Sequence, residues 1–168
     1  MELIKLFFLG ATGYLLAGLY DVAILYDKPL LRRLLYLGFF ITAIPYPVIF
    51  FTWDSPLPAL VGWIVFSLVF VFAALLVYSV MVEIPLFAPG EGKLYQKGTY
   101  SFSRHPGFIW YSIVNILVSI YYWNYRITML MMGLTLCNLV LVVVEDRILF
   151  PRMFAEYGEY RRRTPFIL

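Results

Sequence analysis

Five long apolar stretches constrain the fold of this chain more than any other feature. They cover about residues 3–26, 34–53, 57–82, 106–123 and 127–144, and the last continues through an acidic pair towards Phe150. Each is close to the roughly 20 residues that a helix needs to cross the hydrocarbon core of a bilayer. Lipid offers no water to satisfy a bare backbone, so we expect all five to be helices. Pro45 and Pro47 should interrupt the second helix.

The composition indicates a membrane environment. Of the 168 residues, 62% are hydrophobic and 14% are charged, whereas soluble domains have roughly 45–50% and about 25%. A soluble fold of this size cannot bury so much apolar surface. The net charge of +3 belongs to a membrane-surface pattern rather than to nucleic-acid binding. The sequence predicts one all-α integral membrane domain, with residues 1–83 as a three-helix scaffold and residues 84–168 as a loop, two helices and a tail.

The distribution of basic residues predicts the orientation. They cluster between the first and second stretches, between the third and fourth, and after the fifth: Lys28, Arg32, Arg33, Lys93, Lys97, Arg104, Arg147, Arg152, Arg161, Arg162 and Arg163. The opposite side holds only Lys5 and Arg126. By the positive-inside rule, five transmembrane helices then place the N-terminus outside and the C-terminus in the cytoplasm. The polar and aromatic tail predicts a short C-terminal helix at the interface.

The strip from Gly98 to Phe108 is the first candidate for chemistry. It contains the only histidine of the chain, His105, between Arg104 and the helix-starting Pro106. An imidazole donates, accepts or carries charge near neutral pH, and a guanidinium offers a planar fork for a carboxylate or phosphate. Free N–H groups at the helix start favour an anion. Arg104 as a membrane-surface anchor and His105 as an interfacial helix-start residue explain the pattern equally well.

An acidic pair, Glu145 and Asp146, ends the fifth stretch on the same predicted side as the strip. Two adjacent carboxylates there suit a cationic or hydroxyl-bearing ligand. They also suit a structural role, in which they neutralise Arg147 and Arg152. The sequence pattern leaves both interpretations open.

Other polar residues at membrane depth have simpler interpretations. We expect Asn115 and Asn138 to bridge helices through hydrogen bonds. We expect Asp21 and Glu83 to lie at solvated helix ends or in structural ion pairs. One histidine and the distant Cys137 cannot form a zinc site, so no metal is expected. The sequence has no Walker loop, Rossmann glycine pattern or serine-centred elbow.

A composite pattern in the last 75 or so residues points to a known family. The chain reads Gly98-x-Tyr100-x-x-x-Arg104-His105-Pro106-x-Phe108, then Glu145-Asp146, then Tyr157-x-x-Tyr160-Arg161-Arg162-Arg163-Thr164-Pro165. This combination resembles the integral-membrane methyltransferases of the isoprenylcysteine carboxyl methyltransferase and phospholipid N-methyltransferase superfamily. The first three helices match only as generic membrane spans. This sequence departs from the family pattern in three ways. Phe108 stands where the family often has tyrosine, and the acidic pair is Glu-Asp instead of Glu-Glu. The tail is one residue shorter than the family's usual Phe-Gly-x-x-Tyr-x-x-Tyr arrangement.

The resemblance implies S-adenosylmethionine bound at the cytoplasmic face and a lipid-like or amphiphilic acceptor entering between helices. Arg104 and His105 are then the candidate catalytic residues, and Arg104 orients a carboxylate or phosphate of the acceptor or of the cofactor. The implied cofactor-binding residues are Gly98, Tyr100, His105, Pro106, Phe108, Glu145, Asp146, Tyr157 and Tyr160. No metal or covalent residue is demanded, because methyl transfer needs chiefly alignment and exclusion of water.

Two other classes of function remain open. A reductase of the sterol or steroid type has a similar Arg-His-Pro strip and uses a nicotinamide cofactor, although this chain lacks room for the larger helical bundle of such enzymes. A small membrane scaffold or partner subunit would retain the strip without catalysis. Within the methyltransferase class, carboxylate, amine, thiol and phenol acceptors all fit the sequence.

Overall fold

The computed structural model describes residues 2–87 and 93–167. These residues form helices and connections, with no strand among them. We number the helices in chain order: α1 Leu3–Leu25, α2 Pro29–Thr52, α3 Ala59–Phe87, α4 Pro106–Tyr122, α5 Tyr125–Met153 and α6 Tyr157–Arg163. A single 3₁₀ turn, Gly98–Ser101, precedes α4. Pro89, Gly90 and Gly92 of the connection before this turn lie outside the described residues.

Four of these helices are long and apolar enough to cross a membrane. They are α1, α2, α3 and α5, with mean hydropathies of 1.6, 2.0, 2.8 and 2.4. Helix α4 is apolar but has only 17 residues, which is about 25 Å at the α-helical rise against a hydrocarbon core of about 30 Å. The described part of the chain is thus all-helical with four candidate spans. A fifth span and the orientation stay predictions.

Large apolar side chains on the outer surfaces of the helices remain uncovered. Phe51 is 90% exposed, Trp123 76%, Leu60 74% and Phe70 72%. Exposed apolar surface on this scale is unusual for a soluble monomer and indicates contact with lipid. The interior is formed by fully buried side chains that include Leu6, Ile49, Val118, Ile127 and Leu134.

Helix α2 is interrupted twice, at Tyr36 and just before Pro45, and the prolines predict only the second interruption. It consists of three short helical pieces, Pro29–Leu35, Leu37–Ala43 and Pro45–Thr52. The last begins at Pro45, where the missing N–H and the fixed φ suit a helix start. The helix also begins earlier than the apolar run at residue 34 suggests, because Pro29 provides a start of the same kind.

Two glycines bring α1 and α2 into close contact. A Cβ atom at Gly38 would lie 2.7 Å from Leu16 Cβ, and one at Gly13 would lie 2.7 Å from the backbone nitrogen of Thr42. No larger residue fits either position without moving the helices apart. This packing places α1 between α2 and α5, where its last turns approach the functional end of α5.

Asn115 bridges three helices, as its depth in the apolar sequence predicts. Tyr46 on α2 donates its hydroxyl to Asn115 Oδ1 at 2.6 Å, and Asn115 Nδ2 donates to Thr135 Oγ1 on α5 at 2.8 Å. Side-chain hydrogen bonds of this kind hold helices together where lipid removes the hydrophobic driving force. No hydrogen bond of the Asn138 side chain is found within residues 2–87 and 93–167.

Two wide π-helical turns carry the acidic residues at one end of the bundle. One is Tyr78–Glu83 within α3, and the other is Glu145–Leu149 within α5. Turns of this type place an extra residue in the helix and occur frequently at functional sites. Both lie at the end where α1 finishes and α4 begins. This end of the bundle contains the candidate site.

Candidate functional site

Asp146 is the centre of a buried polar cluster. Its carboxylate is 2% exposed, with Oδ1 at 2.9 Å from Nη1 of Arg104. Tyr157 donates its hydroxyl to the same oxygen at 2.6 Å. The Nε atom of Arg161 lies 3.9 Å from Oδ2, at the edge of ion-pair range. We call Arg104, His105, Glu145, Asp146, Tyr157 and Tyr160 the Asp146 cluster.

The C-terminal tail holds the strip against the bundle. The N–H of Arg104 donates to the carbonyl of Pro165 at 3.0 Å, and Ser103 Oγ donates to the carbonyl of Phe166 at 3.3 Å. Tyr160 on α6 donates to the carbonyl of Tyr100 at 2.7 Å. Because these bonds join residues that are some 60 positions apart, the tail and the strip form one structural unit.

His105 lies between two aromatic rings and two carboxylates. Its ring stacks on Phe150 at 5.9 Å between centroids and meets the edge of Phe166 at 5.1 Å. Nδ1 is 3.7 Å from Glu145 Oε2, and Nε2 is 3.6 Å from Asp146 Oδ1. Burial lowers the pKa of this imidazole to about 4, against the opposing effect of Asp146. The imidazole is therefore neutral at pH 7.

Several buried polar atoms of the cluster lack a hydrogen-bond partner. Within the described residues, Arg104 Nε and His105 Nε2 have none, and Arg104 Nη1 is near Asp146 without the alignment of a hydrogen bond. The two side chains are only 8% and 6% exposed. An orphaned buried polar atom costs about 1–3 kcal/mol, and native structures retain few of them. Such atoms are free to bond to a ligand or to ordered water.

Glu83 forms a second buried centre that fixes the start of the strip. It is 1% exposed and accepts hydrogen bonds from the N–H of Thr99 at 2.8 Å, from the Thr99 hydroxyl, and from Tyr95 at 3.2 Å. Gly98 has a φ of +55°, and a Cβ there would lie 1.7 Å from Glu83 Oε1. The interpretation of Glu83 as a solvated or ion-paired residue is wrong, because the loop encloses its carboxylate and supplies the donors.

Asp21 is likewise not fully solvated, and it has no ion pair within residues 2–87 and 93–167. It is half-buried on α1, and its carboxyl group lies near that of Glu145. The α1 helix packs directly against the π-helical turn Glu145–Leu149. The first helix thus contributes a carboxyl group to the candidate site.

The acidic pair of α5 is divided between two environments. Asp146 faces Arg104 and Tyr157, whereas Glu145, 15% exposed in its side chain, faces His105 and Asp21. Arg147 points to the surface and is exposed. Among the described residues, the recorded ion pairs of Asp146 go to the strip and to α6. The pair therefore serves the cluster instead of neutralising its own neighbours in sequence.

The remaining predicted site residues lie around the cluster. The phenol of Tyr100 donates to the carbonyl of Ser79 on α3 at 3.3 Å, and its pKa is raised by burial and by the nearby Glu145 and Glu83 carboxylates. Gly98 adjoins Glu83. Pro106 is the first residue of α4. Phe108 is buried in the first turn of that helix.

Comparison with known proteins finds no match. The chain matches no protein-family model, no curated protein and no solved structure. The functional assignment therefore depends on the residues of the site and on the motifs that they form.

No metal centre is found in the described part of the chain. Among those residues, no group of three or more His, Cys, Asp or Glu side chains is arranged to hold an ion.

A separate apolar groove lies between α4 and α5. Its volume is about 920 Å³, and its walls include Ser112, Asn115, Ser119, Trp123, Thr128 and Met132. Ser112 and Ser119 donate their hydroxyls to carbonyls of their own helix, so they add little polarity to the groove. Ser112 follows His105 by seven residues, which is about 10 Å along a helix axis. The groove thus begins about two helical turns from the cluster and extends towards the other end of the bundle.

Proposed function

We propose that this protein is an S-adenosylmethionine-dependent methyltransferase acting on a membrane-soluble or amphiphilic acceptor. The observation that carries the proposal is the Asp146 cluster. It unites the Arg-His-Pro strip, the acidic pair and the tyrosine tail, three motifs that are distant in sequence, and it retains unpartnered polar atoms on Arg104 and His105.

The residues of the cluster fit the chemistry of this cofactor. Arg104 has unpartnered nitrogen atoms suited to the cofactor carboxylate. Carboxylates and the faces of Phe150 and Phe166 suit a sulfonium cation. When bound, the cofactor supplies a methyl group activated by its positively charged sulfur.

The chain itself contributes alignment, exclusion of water and a proton acceptor. The tail covers the strip through Tyr160, Pro165 and Phe166, and a dry, fixed geometry provides much of the rate of a transfer between two bound groups. His105 is neutral at pH 7 and its Nε2 has no partner among the described residues. That atom can take the proton that an amine, thiol or phenol loses on methylation, while Asp146 and Glu145 stabilise the resulting imidazolium.

The groove between α4 and α5 supports an acceptor with a long apolar chain. Its walls expose Ile116, Met129 and Leu136 to the membrane. In this proposal the apolar chain of the acceptor lies in the groove, and the reacting group of the acceptor reaches the cluster. In this proposal α4 is a fifth, short span and the cluster lies at the cytoplasmic face, because the basic tail and the basic connections then lie on one side.

The test is stabilisation by ligand in a purified, detergent-solubilised sample. S-Adenosylhomocysteine should raise the unfolding temperature in a concentration-dependent manner, as expected for a ligand that binds only the folded state, whereas NADPH should not. Stabilisation by NADPH alone would favour the reductase, and stabilisation by neither ligand at millimolar concentration would favour the scaffold. Either result would contradict the proposal.

A further inference from the structure

Helix α6 has two faces of different chemistry. On its inner face Tyr157 and Tyr160 are buried, and their hydroxyls donate to Asp146 Oδ1 at 2.6 Å and to the carbonyl of Tyr100 at 2.7 Å. Its exposed residues include three consecutive arginines, Arg161, Arg162 and Arg163. This one short helix therefore contacts the candidate site on one side and presents positive charge to the surroundings on the other.

The exposed positive charge extends from α6 to the last turns of α5. Five exposed arginines, which we call the arginine surface, lie between residues 147 and 163: Arg147, Arg152, Arg161, Arg162 and Arg163. The exposed acidic side chains of this segment are Glu156 and Glu159, and Glu156 already accepts a hydrogen bond from the N–H of Leu94 at 3.2 Å. Within residues 2–87 and 93–167, Arg161 alone of the five has an ion-pair partner, Asp146 at 3.9 Å. Most of this charge is thus not neutralised by the described part of the chain.

The position of the arginine surface favours a lipid headgroup as its partner. Helix α5, a candidate membrane span, ends at Met153, and α6 begins at Tyr157. Apolar side chains are exposed at the same end of the bundle, with Ile148 at 45% and Phe102 at 39%. Basic clusters directly beside a membrane span attract anionic lipids, and a guanidinium matches the geometry of a phosphate. A soluble anion has the complementary charge but no use for the apolar surroundings.

We propose that the arginine surface binds the headgroups of anionic phospholipids and that this contact holds the tail closed over the Asp146 cluster. A partner that binds one arrangement of a protein more tightly shifts the population towards it. The bonds of Tyr157 and Tyr160 require α6 to lie against the bundle, so a headgroup on the outer face also stabilises the strip on the inner face. This contact does not depend on which reaction the cluster performs.

Amide hydrogen exchange of the full chain in lipid nanodiscs tests the contact without any cofactor. The reporters are the N–H groups of Arg104 and Thr164, which donate to carbonyls of the tail at 3.0 Å and 2.9 Å. Both should exchange at least about tenfold more slowly in phosphatidylcholine mixed with phosphatidylglycerol than in phosphatidylcholine alone, since each arginine near an anionic surface contributes a factor of about five. The N–H of Thr128, in the first turn of α5, should not change.

Two double variants with equal loss of charge make the test specific. Arg162→Gln/Arg163→Gln should lose most of the lipid effect, whereas Arg32→Gln/Arg33→Gln, at exposed arginines of α2, should retain it. High salt should weaken the effect in wild type. Equal exchange in the two lipids, or the same lipid effect in both variants, would overturn the proposal. Equal slowing by inorganic phosphate in phosphatidylcholine alone would also overturn it, because the surface would then bind a soluble anion.

Discussion

Arg104 at the start of α4 and Asp146 at the end of α5 form a buried ion pair, with 2.9 Å between Nη1 and Oδ1 and exposures of 8% and 3% for the two side chains. The residues belong to different motifs of the sequence. Their contact joins the strip to the acidic pair. Tyr157 connects the tail to both, because its hydroxyl donates a hydrogen bond to Asp146 Oδ1. The site therefore depends on this one carboxylate more than on any other group.

The two members of this pair should be energetically coupled. Arg104→Gln or Asp146→Asn leaves one charge buried and should lower the free energy of unfolding by about 3–5 kcal/mol. The double variant should lose less than the sum of the two, because neither charge remains. Unfolding titrations in detergent measure all three. Arg161→Gln is the control, since its side chain is 47% exposed and 3.9 Å from Asp146, and it should stay within about 1 kcal/mol of wild type. Additive losses would contradict the coupling.

Replacement of Gly98 should disturb the site through the contact of Gly98 with Glu83. Gly98→Ala puts a Cβ into the Glu83 carboxylate at a position with a φ of +55°, and the backbone conformation alone costs about 1–2 kcal/mol. We expect a lower unfolding temperature and weaker binding of S-adenosylhomocysteine. Gly158→Ala is the matched control, because nothing lies within 4 Å of a Cβ there; in helix α6 it should be neutral or stabilising. Equal behaviour of the two variants would contradict the role of Gly98.

Stability should depend on pH through His105. The folded-state pKa of about 4 lies below the ordinary 6.5, so the unfolded chain binds more protons between these values. Stability is then fully present above about pH 6.5 and falls as the pH decreases towards 4, by up to about 3 kcal/mol.

The difference between wild type and His105→Gln isolates this effect. His105 is the only histidine, and the carboxyl groups of the site titrate in both proteins. We expect the wild-type unfolding free energy to decrease more steeply with acidification than that of the variant. Parallel pH profiles would show that the imidazole is not held neutral by burial.

Filling the groove should weaken binding of the acceptor and leave binding of the cofactor unchanged. Ser119→Phe places a large ring in the space between α4 and α5, so the KM for a long-chain acceptor should rise several-fold while S-adenosylhomocysteine binding is unchanged. Ser67→Phe, an equivalent change at an exposed position on α3, serves as the control. An unchanged KM in Ser119→Phe would exclude the groove as the acceptor channel.

The sequence predicts the helices better than it predicts their side-chain contacts. Hydropathy identifies all five apolar segments, because each is continuous along the chain. It places the end of the third stretch at residue 82, whereas α3 continues to Phe87, since a π-helical turn extends a helix beyond its apolar run. Motif residues identify Arg104, His105, Asp146, Tyr157 and Tyr160 as members of one site, and the structure brings them together.

The contributions of Glu83 and Asp21 could not be predicted in this way. Their partners are a loop amide at Thr99 and a carboxyl group on α5, and no periodicity along the chain encodes such contacts. The only signal was an acidic residue near the end of an apolar segment, where burial is costly without a partner. Phe150 and Phe166, which flank His105, are similarly indistinguishable from other aromatic residues in the sequence.

Transfer of a labelled methyl group tests the central claim most directly. Purified protein, labelled S-adenosylmethionine and a total lipid extract should yield label in the organic phase, with the product identified by mass spectrometry. The folded double variant Arg104→Gln/Asp146→Asn, which lacks the central pair, should give only background. We predict label above that background with wild type. A folded wild-type sample that stabilises with S-adenosylhomocysteine yet transfers no more label than the double variant would contradict the account.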